Sequence, residues 1–350
     1  MATVAIAGAG VLGRLLAWKL SNAGHHVSVV DPAAGPEAPP TGQLDSPAMH
    51  AAGFTAAGML SPLAELEQAG AAVAALGWRS LALWPAIATA LGNPDLVRRQ
   101  ASLLLAHGGD GGAAQRVLTR LQAGTPGPVP LPLDCMELQS LEPALAPGLK
   151  AWLLPGEGQV LPREMLTALA QQAQDVEWLW GRRASTVRPH ALTLDDGRVL
   201  DADLAIDTRG LGAREALPAL RGVRGELAWL HAPGVELRRP LRLLHPRHRV
   251  YLVPRPGDHV VVGASEIESE DRSPVSLRSL VELLAAAHSV LPALAEARIV
   301  HLEVNLRPAL PDNQPLVEHA PGLLRINGLF RHGWLLAPAL VEDAIAKALP

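Results

Sequence analysis

Three glycines near the start of the chain have the spacing of a phosphate-binding turn. Gly8, Gly10 and Gly13 directly follow the short apolar run 3–7. In a dinucleotide site the first glycine permits a tight turn after a strand, the second lets the backbone approach the pyrophosphate, and the third lets the helix pack closely on the sheet. The helix that follows presents N–H groups and the positive end of its dipole to phosphate. The motif therefore predicts a dinucleotide site.

An acidic residue completes this pattern. Asp31 ends the second predicted strand, 27–30, eighteen residues after Gly13, where its carboxylate would accept the ribose hydroxyls. NAD and FAD both present an ADP half to this motif, so the motif alone does not separate them. The segments after Asp31 lack the regular alternation of an NAD domain and contain long strand-rich insertions, which favours a flavin. A glycine-rich turn in an ordinary α/β domain is the alternative.

The elements that must position these residues are predicted from periodicity. Leu12, Leu15, Leu16 and Leu20 lie on one helical face, and Gly24 stops that helix. A Pro- and Gly-rich surface excursion is expected over 32–53. Further helices are predicted at 69–91, 115–123, 163–174, 275–291 and 333–349, and strands at 176–180, 186–194, 199–206, 249–254, 259–264 and 299–306.

Two polar residues fall on predicted strands. The strand 299–306 alternates apolar and polar residues, and Arg307 continues its polar face. Tyr251, the only tyrosine of the chain, lies on the strand 249–254. From the pattern alone, a strand-end surface charge and a half-buried strand aromatic are the alternatives to functional roles.

Composition excludes several classes of protein. The 350 residues include 30 Lys and Arg against 34 Asp and Glu, a formal net charge of −4, and no basic run, which argues against a nucleic-acid partner. Charges interrupt the apolar stretches, so we expect no membrane span and a cytoplasmic protein. The single cysteine, Cys135, excludes an internal disulfide and is expected to be a small buried residue. His245 and His248 lack a third ligand, so we expect a solvated loop there and no metal site.

Six stretches together resemble the glycine oxidases of the D-amino-acid oxidase family of FAD enzymes. They follow the family order, and the resemblance runs from residue 3 to about 345. The Arg-Pro pair at 307–308 and the Arg-x-Gly-x-Leu-Leu-Ala-Pro element at 331–338 are the most specific. The stretches are 55–65, 154–160, 223–226, 251–255 with 262–265, 306–312 and 328–338.

The resemblance implies an α/β fold of two interleaved domains. A Rossmann-like FAD-binding domain of the glutathione-reductase type would alternate along the chain with an antiparallel-sheet α+β substrate domain. The expected FAD-binding segments are 1–85, 140–215 and 308–350, and the expected substrate-binding segments are 86–139 and 216–307.

The resemblance also implies non-covalently bound FAD. Val11, Leu12 and Asp31 would hold the ADP half, with a backbone contact at Ala184 near the adenine. Residues 58–60 would lie along the flavin, and 329–335 would surround the pyrimidine end of its ring. The residues implied to contact FAD are Gly8, Gly10, Val11, Leu12, Gly13, Asp31, Gly53, Phe54, Gly58, Met59, Leu60, Ala184, Gly210, Leu329, Phe330, Arg331, His332, Gly333, Trp334 and Leu335.

Three residues would form the catalytic end. The resemblance implies that Arg307 grips the substrate carboxylate, that Tyr251 adds a hydroxyl donor, and that Arg331 lies at the edge of the flavin. A planar guanidinium suits this task because it binds a carboxylate through two parallel charge-assisted hydrogen bonds. The implied reaction takes a hydride from Cα of glycine or of a small or N-substituted amino acid, the imine hydrolyses to glyoxylate or another oxo acid, and O2 is reduced to H2O2. The implied setting is thiamine biosynthesis.

Other functions stay open on the same fold. The chain could be a flavin dehydrogenase that passes electrons to another acceptor, or an oxidase of a larger N-substituted amino acid. An FAD-binding partner protein without catalysis belongs to a different class, and an NAD dehydrogenase is a weaker competitor. A homo-oligomer is possible.

The chain departs from the glycine oxidase pattern near the expected pocket. Glu266 stands where these enzymes tend to carry an apolar residue, and Arg249 and Asn305 are unusual neighbours for Tyr251 and Arg307. A carboxylate at 266 would either pair with Arg307 or attract a cationic amine. In addition, 53–54 is Gly-Phe where the family usually carries Ser or Thr near the flavin phosphates.

Overall fold

Two large β-sheets organise the computed structural model, which describes residues 1–37, 50–66, 69–123, 128–244 and 249–349. The predicted loop with His245 and His248, most of the excursion 32–53 and the side chain of Arg249 lie outside this description. The strands are β1 Thr3–Ala7, β2 His26–Asp31, β3 Met59–Leu60, β4 Val97–Arg98, β5 Ser102–Ala106, β6 Leu131–Leu133, β7 Lys150–Leu154, β8 Gly158–Val160, β9 Val176–Trp180, β10 Ala184–Arg188, β11 Ala191–Leu194, β12 Val199–Asp201, β13 Leu204–Asp207, β14 Arg221–His231, β15 Leu241–Leu244, β16 Arg249–Arg255, β17 His259–Gly263, β18 Arg298–Ala309, β19 Leu316–Ala320 and β20 Leu323–Asn327. The α-helices are α1 Val11–Asn22, α2 Pro62–Glu65, α3 Gly70–Ala90, α4 Gly111–Ala123, α5 Cys135–Leu141, α6 Pro162–Gln172, α7 Leu277–Val290 and α8 Gly333–Ala348.

The first sheet has the order β19-β20-β13-β1-β2-β9. Its strands from β20 to β9 run parallel, and β19 is antiparallel to β20. Helix α1 connects β1 to β2 and buries Leu12, Leu15, Leu16 and Leu20, the leucines that the periodicity placed on one face. The carboxyl ends of β1 and β2 therefore open at the same edge, where ligands of parallel sheets bind.

Helix α3 has the length and apolar composition of a membrane-spanning helix, although 44% of the most apolar window is buried within the protein. Its contacts with α8 account for that composition. The Trp84 indole N–H donates to the Trp334 carbonyl at 2.9 Å, and the Ser80 hydroxyl accepts from the Ala339 N–H at 3.0 Å. Trp84 is fully buried in the same hydrophobic core as the leucines of α1. Helix α3 is thus a core helix of the first sheet's layer.

The second sheet has the order β18-β14-β17-β16-β15-β5-β7-β6 and is antiparallel apart from the parallel pair β15 and β5. Alternate residues of its strands face opposite sides. Val260 and Val262 pack in the core that includes α7, whereas Val261 and Val253 pack in a separate cluster with Tyr251 and residues 57 and 59. Strand alternation therefore turns Tyr251 towards residues 57 and 59 of the expected FAD-binding domain, which is called the first domain.

The predicted α/β fold is confirmed, but several details differ from the expectations. The predicted strands 186–194 and 199–206 are each two strands, β10 with β11 and β12 with β13. Strand β7 lies in the second sheet although it falls within the expected FAD-binding segment 140–215, so sheet membership alone would begin that segment after Leu154. The other domain limits stay predictions. Cys135 is exposed at the first turn of α5, contrary to the expectation of burial, because the helix directs Leu138 rather than Cys135 inward.

Candidate active site

A cavity of about 1270 Å³ lies between the two sheets and is lined by residues from both. It extends from Gly8, Asp31 and Ala184 at one end to Tyr251 and Arg307 at the other. All the residues predicted to bind cofactor or substrate line it except Gly13, Phe54 and Leu60.

Those three residues lie behind the cavity wall and pack against it. A Cβ on Gly13 would overlap the Gly8 carbonyl, so Gly13 permits close packing and makes no contribution to the wall. Phe54 is buried beneath the guanidinium of Arg14, whose central carbon lies 5.2 Å from the ring centroid. Leu60 is fully buried in the core of the first domain. Gly53, next to Phe54, does line the cavity.

The glycine turn provides a phosphate cradle. Gly8 has φ +99°, and a Cβ there would lie 2.7 Å from the Thr208 carbonyl oxygen, so only glycine fits without movement. Gly10 is the N-cap of α1, which has no side-chain cap, so the first N–H groups of the helix remain for a ligand. These features fit the pyrophosphate of a dinucleotide.

Asp31 helps to hold this turn in place. Its two carboxylate oxygens accept the backbone N–H groups of Ala9 at 2.6 Å and Ala33 at 2.8 Å. A carboxylate has about four acceptor positions, so it retains capacity for ribose hydroxyls. At the same end, Arg14 is buried and donates to the carbonyls of Ala9 and Leu166, and this burial lowers its pKa to about 10.

The segment expected along the flavin is fixed by a buried arginine. Gly58 has φ +65°, and a Cβ there would overlap the Val160 carbonyl. Next to it, the Ala57 carbonyl accepts from the guanidinium of Arg255, which also donates to Gln159 Oε1 at 2.8 Å. Burial lowers the pKa of Arg255 to about 10. The backbone at 57–59 is thereby held at the cavity wall.

The chain segment before α8 closes the cavity from the other side. Phe330 has φ +50°, an uncommon conformation for a non-glycine residue that is typical of constrained functional sites. His332 is the N-cap of α8, and both His332 and Gly333 line the cavity, so the positive end of the helix dipole faces it. Trp334 Nε1 also donates to the Gly53 carbonyl at 3.0 Å.

Strand β18 directs its polar face towards the first domain. Glu303 and Asn305 are buried on that face, whereas on the apolar face Val300 is about half exposed and Leu306 is buried. The polar face is therefore covered as well as the apolar one. Glu303 pairs with Arg163 at 3.2 Å. Asn305 Nδ2 donates to the Thr55 hydroxyl at 3.1 Å, so this departure from the family pattern anchors the 52–55 turn.

Arg307 continues this polar face into the cavity. A Cβ on Gly225 would overlap its guanidinium, so the glycine on β14 makes room for it. Its hydrogen bonds go to the Ser265 carbonyl at 3.1 Å and, more weakly, to the Arg224 carbonyl at 3.4 Å. No carboxylate of the described residues lies within 4 Å of it. Burial lowers its pKa, while Tyr251 and Glu266 act in the opposite direction.

Tyr251 lies against Gly263 of the neighbouring strand, where a Cβ would be 2.6 Å from the phenol oxygen. Burial raises the pKa of Tyr251, while the nearby positive charge of Arg307 acts in the opposite direction. The hydroxyl is therefore a neutral donor at physiological pH. Tyr251 and Arg307 together form a donor pair at one end of the cavity.

Ser265, whose carbonyl accepts from Arg307, is held through its hydroxyl by a buried glutamate. Glu226 on β14 accepts from the Ser265 hydroxyl at 2.9 Å and pairs with Arg224 at 2.7 Å. Both Glu226 and Arg224 are buried. This pair fixes the start of the 264–276 loop, and with it the position of Arg307.

Sequence reasoning missed the partners of Arg331. Its guanidinium pairs with Glu65 at 2.7 Å and with Glu266 at 3.4 Å, and His332 Nδ1 lies 3.3 Å from the same Glu65 oxygen. Although burial alone would raise it, the pKa of Glu65 is held well below its usual range by His332 and Arg331. Glu266 thus pairs with Arg331 rather than directly with Arg307. The available signal for Glu65 was a charged residue at the end of the flavin-loop stretch 55–65.

Arg242 is a further cavity residue that the sequence did not single out. It stands opposite Tyr251 in the β15–β16 register, so both side chains emerge on the same face, and its charge acts on Glu65. No group of three His, Cys, Asp or Glu able to hold a metal occurs in the described part of the chain.

Comparison with known proteins places these features in a family context. A profile of the DAO family, FAD-dependent oxidoreductases, matches residues 3–345. A putative thiamine biosynthesis oxidoreductase, ThiO, of Rhizobium etli is 37% identical over 347 residues, covering 99% of this chain and 96% of its own length.

Two solved structures extend the likeness to the fold. Glycine oxidase from Geobacillus kaustophilus superposes with a TM-score of 0.81 at 25% identity, covering 100% of this chain and 96% of its own. Iminodiacetate oxidase from Chelativorans sp. BNC1 superposes with a TM-score of 0.79 at 25% identity, covering 99% of this chain and 95% of its own.

Proposed function

The chain belongs to the DAO family of FAD-dependent oxidoreductases, and from this premise we propose that it oxidises glycine or another small or N-substituted amino acid. One observation carries the substrate class. Arg307 presents a guanidinium to the cavity whose acceptors among the described residues are two backbone carbonyls. A buried guanidinium that pairs with no carboxylate among the described residues is suited to an anionic ligand.

The residues of the chain bind and orient the amino acid. Arg307 receives its carboxylate through two parallel hydrogen bonds, and Tyr251 adds a neutral hydroxyl donor. Fixing the carboxylate restricts where Cα and the amine can lie, which lowers the entropic part of the barrier. Bound FAD supplies the hydride acceptor.

The start of α8 adds positive charge to the cavity. The N-terminal end of α8 brings its positive dipole end to residues 332–333, without an acidic residue in its first turn. Arg331 adds a guanidinium there, held by Glu65. These groups are fixed before a substrate arrives, so little reorganisation opposes the reaction.

The proposed overall reaction is a two-electron oxidation of the amino acid by O2. The amino acid loses a hydride and the amine proton to become an imine, which water hydrolyses to an oxo acid and an amine. With glycine the products are glyoxylate and ammonia. O2 receives the two electrons and two protons and leaves as H2O2. The name of the Rhizobium etli relative supports thiamine biosynthesis as the setting.

An anaerobic screen tests the proposal. Purified protein with bound FAD is mixed with glycine, sarcosine or small D-amino acids, and the flavin absorbance is followed. We expect bleaching by at least one of them and recovery with H2O2 formation when O2 enters. A stoichiometric flavin that none of these compounds reduces would refute the substrate class. Reduction followed by recovery only with an artificial acceptor would refute O2 as the acceptor.

A further inference from the structure

Glu266 is a carboxylate of the cavity wall that lies beside Arg331. Its side chain is 45% exposed, lines the cavity and lies 3.4 Å from Arg331. Its neighbour Ser265 supplies the carbonyl that accepts from Arg307. The Glu266 charge also acts on Arg307, so one carboxylate influences two cations of the cavity, Arg331 and Arg307.

We propose that Glu266 is a specificity-determining residue that excludes amino acids with a second, N-linked carboxylate; this inference rests on the proposed function. A substrate such as glycine or sarcosine places one carboxylate on Arg307. A dicarboxylate such as iminodiacetate needs a second cationic partner. Arg331 is the cation next to that site, and it is already bridged by Glu65 and Glu266.

Two effects of Glu266 act in the same direction. Its negative charge repels an incoming second carboxylate, and it occupies the Nη1 side of Arg331 that this carboxylate would use. Glu65 holds the Nη2 side at 2.7 Å and is much less exposed, so it keeps Arg331 in place when Glu266 is neutralised. Because Glu266 is nearly half exposed, water screens this repulsion. At an effective dielectric constant of about 40, removing a charge that lies about 6 Å from the second carboxylate raises the affinity by about tenfold.

Equilibrium binding of two unreactive analogues isolates this effect. Methoxyacetate mimics sarcosine, and diglycolate mimics iminodiacetate; each replaces the amine nitrogen with an ether oxygen, and they differ by one carboxylate. Their Kd values are measured on the FAD-bound protein from the change in flavin absorbance. In Glu266→Gln we expect the ratio of diglycolate Kd to methoxyacetate Kd to fall by about tenfold.

Three matched variants control the measurement. Glu266→Asp keeps the charge and should retain the original ratio. Glu236→Gln neutralises an exposed carboxylate that pairs with Arg238 outside the cavity and should also leave the ratio unchanged. In the double variant Glu266→Gln with Arg331→Met, the gain for diglycolate should disappear, because its receiving cation is gone.

The outcomes separate this inference from the proposed function. A ratio that changes by less than about threefold in Glu266→Gln overturns the role of Glu266, as does a gain that survives the loss of Arg331. Either result leaves the oxidation of glycine or sarcosine intact. If glycine, sarcosine and small D-amino acids all fail to reduce the flavin of the unaltered protein, the proposed function is refuted instead.

Discussion

Arg307 and Tyr251 line the cavity from β18 and β16, two strands of one sheet that β14 and β17 separate. Both residues follow from their place in the family pattern. The partners of Arg331, in contrast, were not predictable. Glu65 lies 266 residues from Arg331 in the sequence, and no local spacing signals a contact over that distance.

Replacing Tyr251 tests its role as a donor. In Tyr251→Phe the ring still packs against Gly263, but one hydrogen bond to a charged carboxylate is lost. We expect amino-acid affinity to weaken by about 1–2 kcal/mol, or about fivefold to thirtyfold in Kd. Titration of the FAD-bound protein with methoxyacetate measures this change, and an unaltered Kd would remove Tyr251 from the binding site.

At the scale of elements, a buried acid joins three segments that the sequence keeps apart. Glu157, in the turn between β7 and β8, accepts from the hydroxyls of Ser61 and Ser102, each at 2.5 Å, and from the Leu63 N–H at 2.9 Å. It thereby links the start of α2 and β5 to the strand that pairs with β3. Burial is the main cause that raises the pKa of Glu157 to about 7 from its usual 4.5.

This raised pKa predicts how stability depends on pH. Between pH 4.5 and about 7 the folded protein retains a proton on Glu157 that the unfolded chain releases. The contribution of Glu157 to the free energy of unfolding is therefore largest below pH 4.5, falls as pH rises to about 7 and is constant above. Glu157→Gln should lack this fall.

Denaturant unfolding at several pH values, with Glu157→Gln beside the unaltered protein, checks this prediction. The quantity compared is the difference in unfolding free energy between the two proteins at each pH, which cancels the titration of other groups. A difference that stays constant from pH 4.5 to 7 would show that Glu157 is not protonated in the folded state.

The elements themselves were predictable to different degrees. The β1–α1–β2 unit follows from the glycine motif and the leucine periodicity, because its contacts are local. Strand β18 was predicted with the right alternation, yet its polar face proved to be covered as well as the apolar one. The pattern alone does not say which face is covered, since the first domain that covers Glu303 and Asn305 comes from distant parts of the chain. The parallel pairing of β15 with β5 is equally non-local.

At the scale of the whole molecule, the cavity joins the beginning and the end of the chain. Gly8 and Gly333 line the same space, together with residues of both sheets. FAD bound there would contact the glycine turn, the segment before α8 and residues of the second sheet at the same time. A ligand that binds the folded but not the unfolded chain stabilises the fold by mass action.

FAD should therefore raise the thermal stability of the whole chain. At a free FAD concentration one hundred times its Kd, the stabilisation is about 2.7 kcal/mol. Scanning calorimetry of the apoprotein with increasing FAD measures the shift in Tm. NAD at the same concentrations serves as the control and should leave Tm unchanged; an equal response to NAD would contradict a site built for FAD.

The central claim is that Arg307 receives the carboxylate of the substrate. The most direct measurement is the anaerobic rate of flavin reduction by glycine and by glycinamide, which lacks the negative charge, in the unaltered protein and in Arg307→Met with equal FAD content. We predict that the unaltered protein prefers glycine by about 100-fold or more, and that the variant loses most of this preference because glycine alone becomes slow. A preference for glycine that persists unchanged in Arg307→Met would contradict the account.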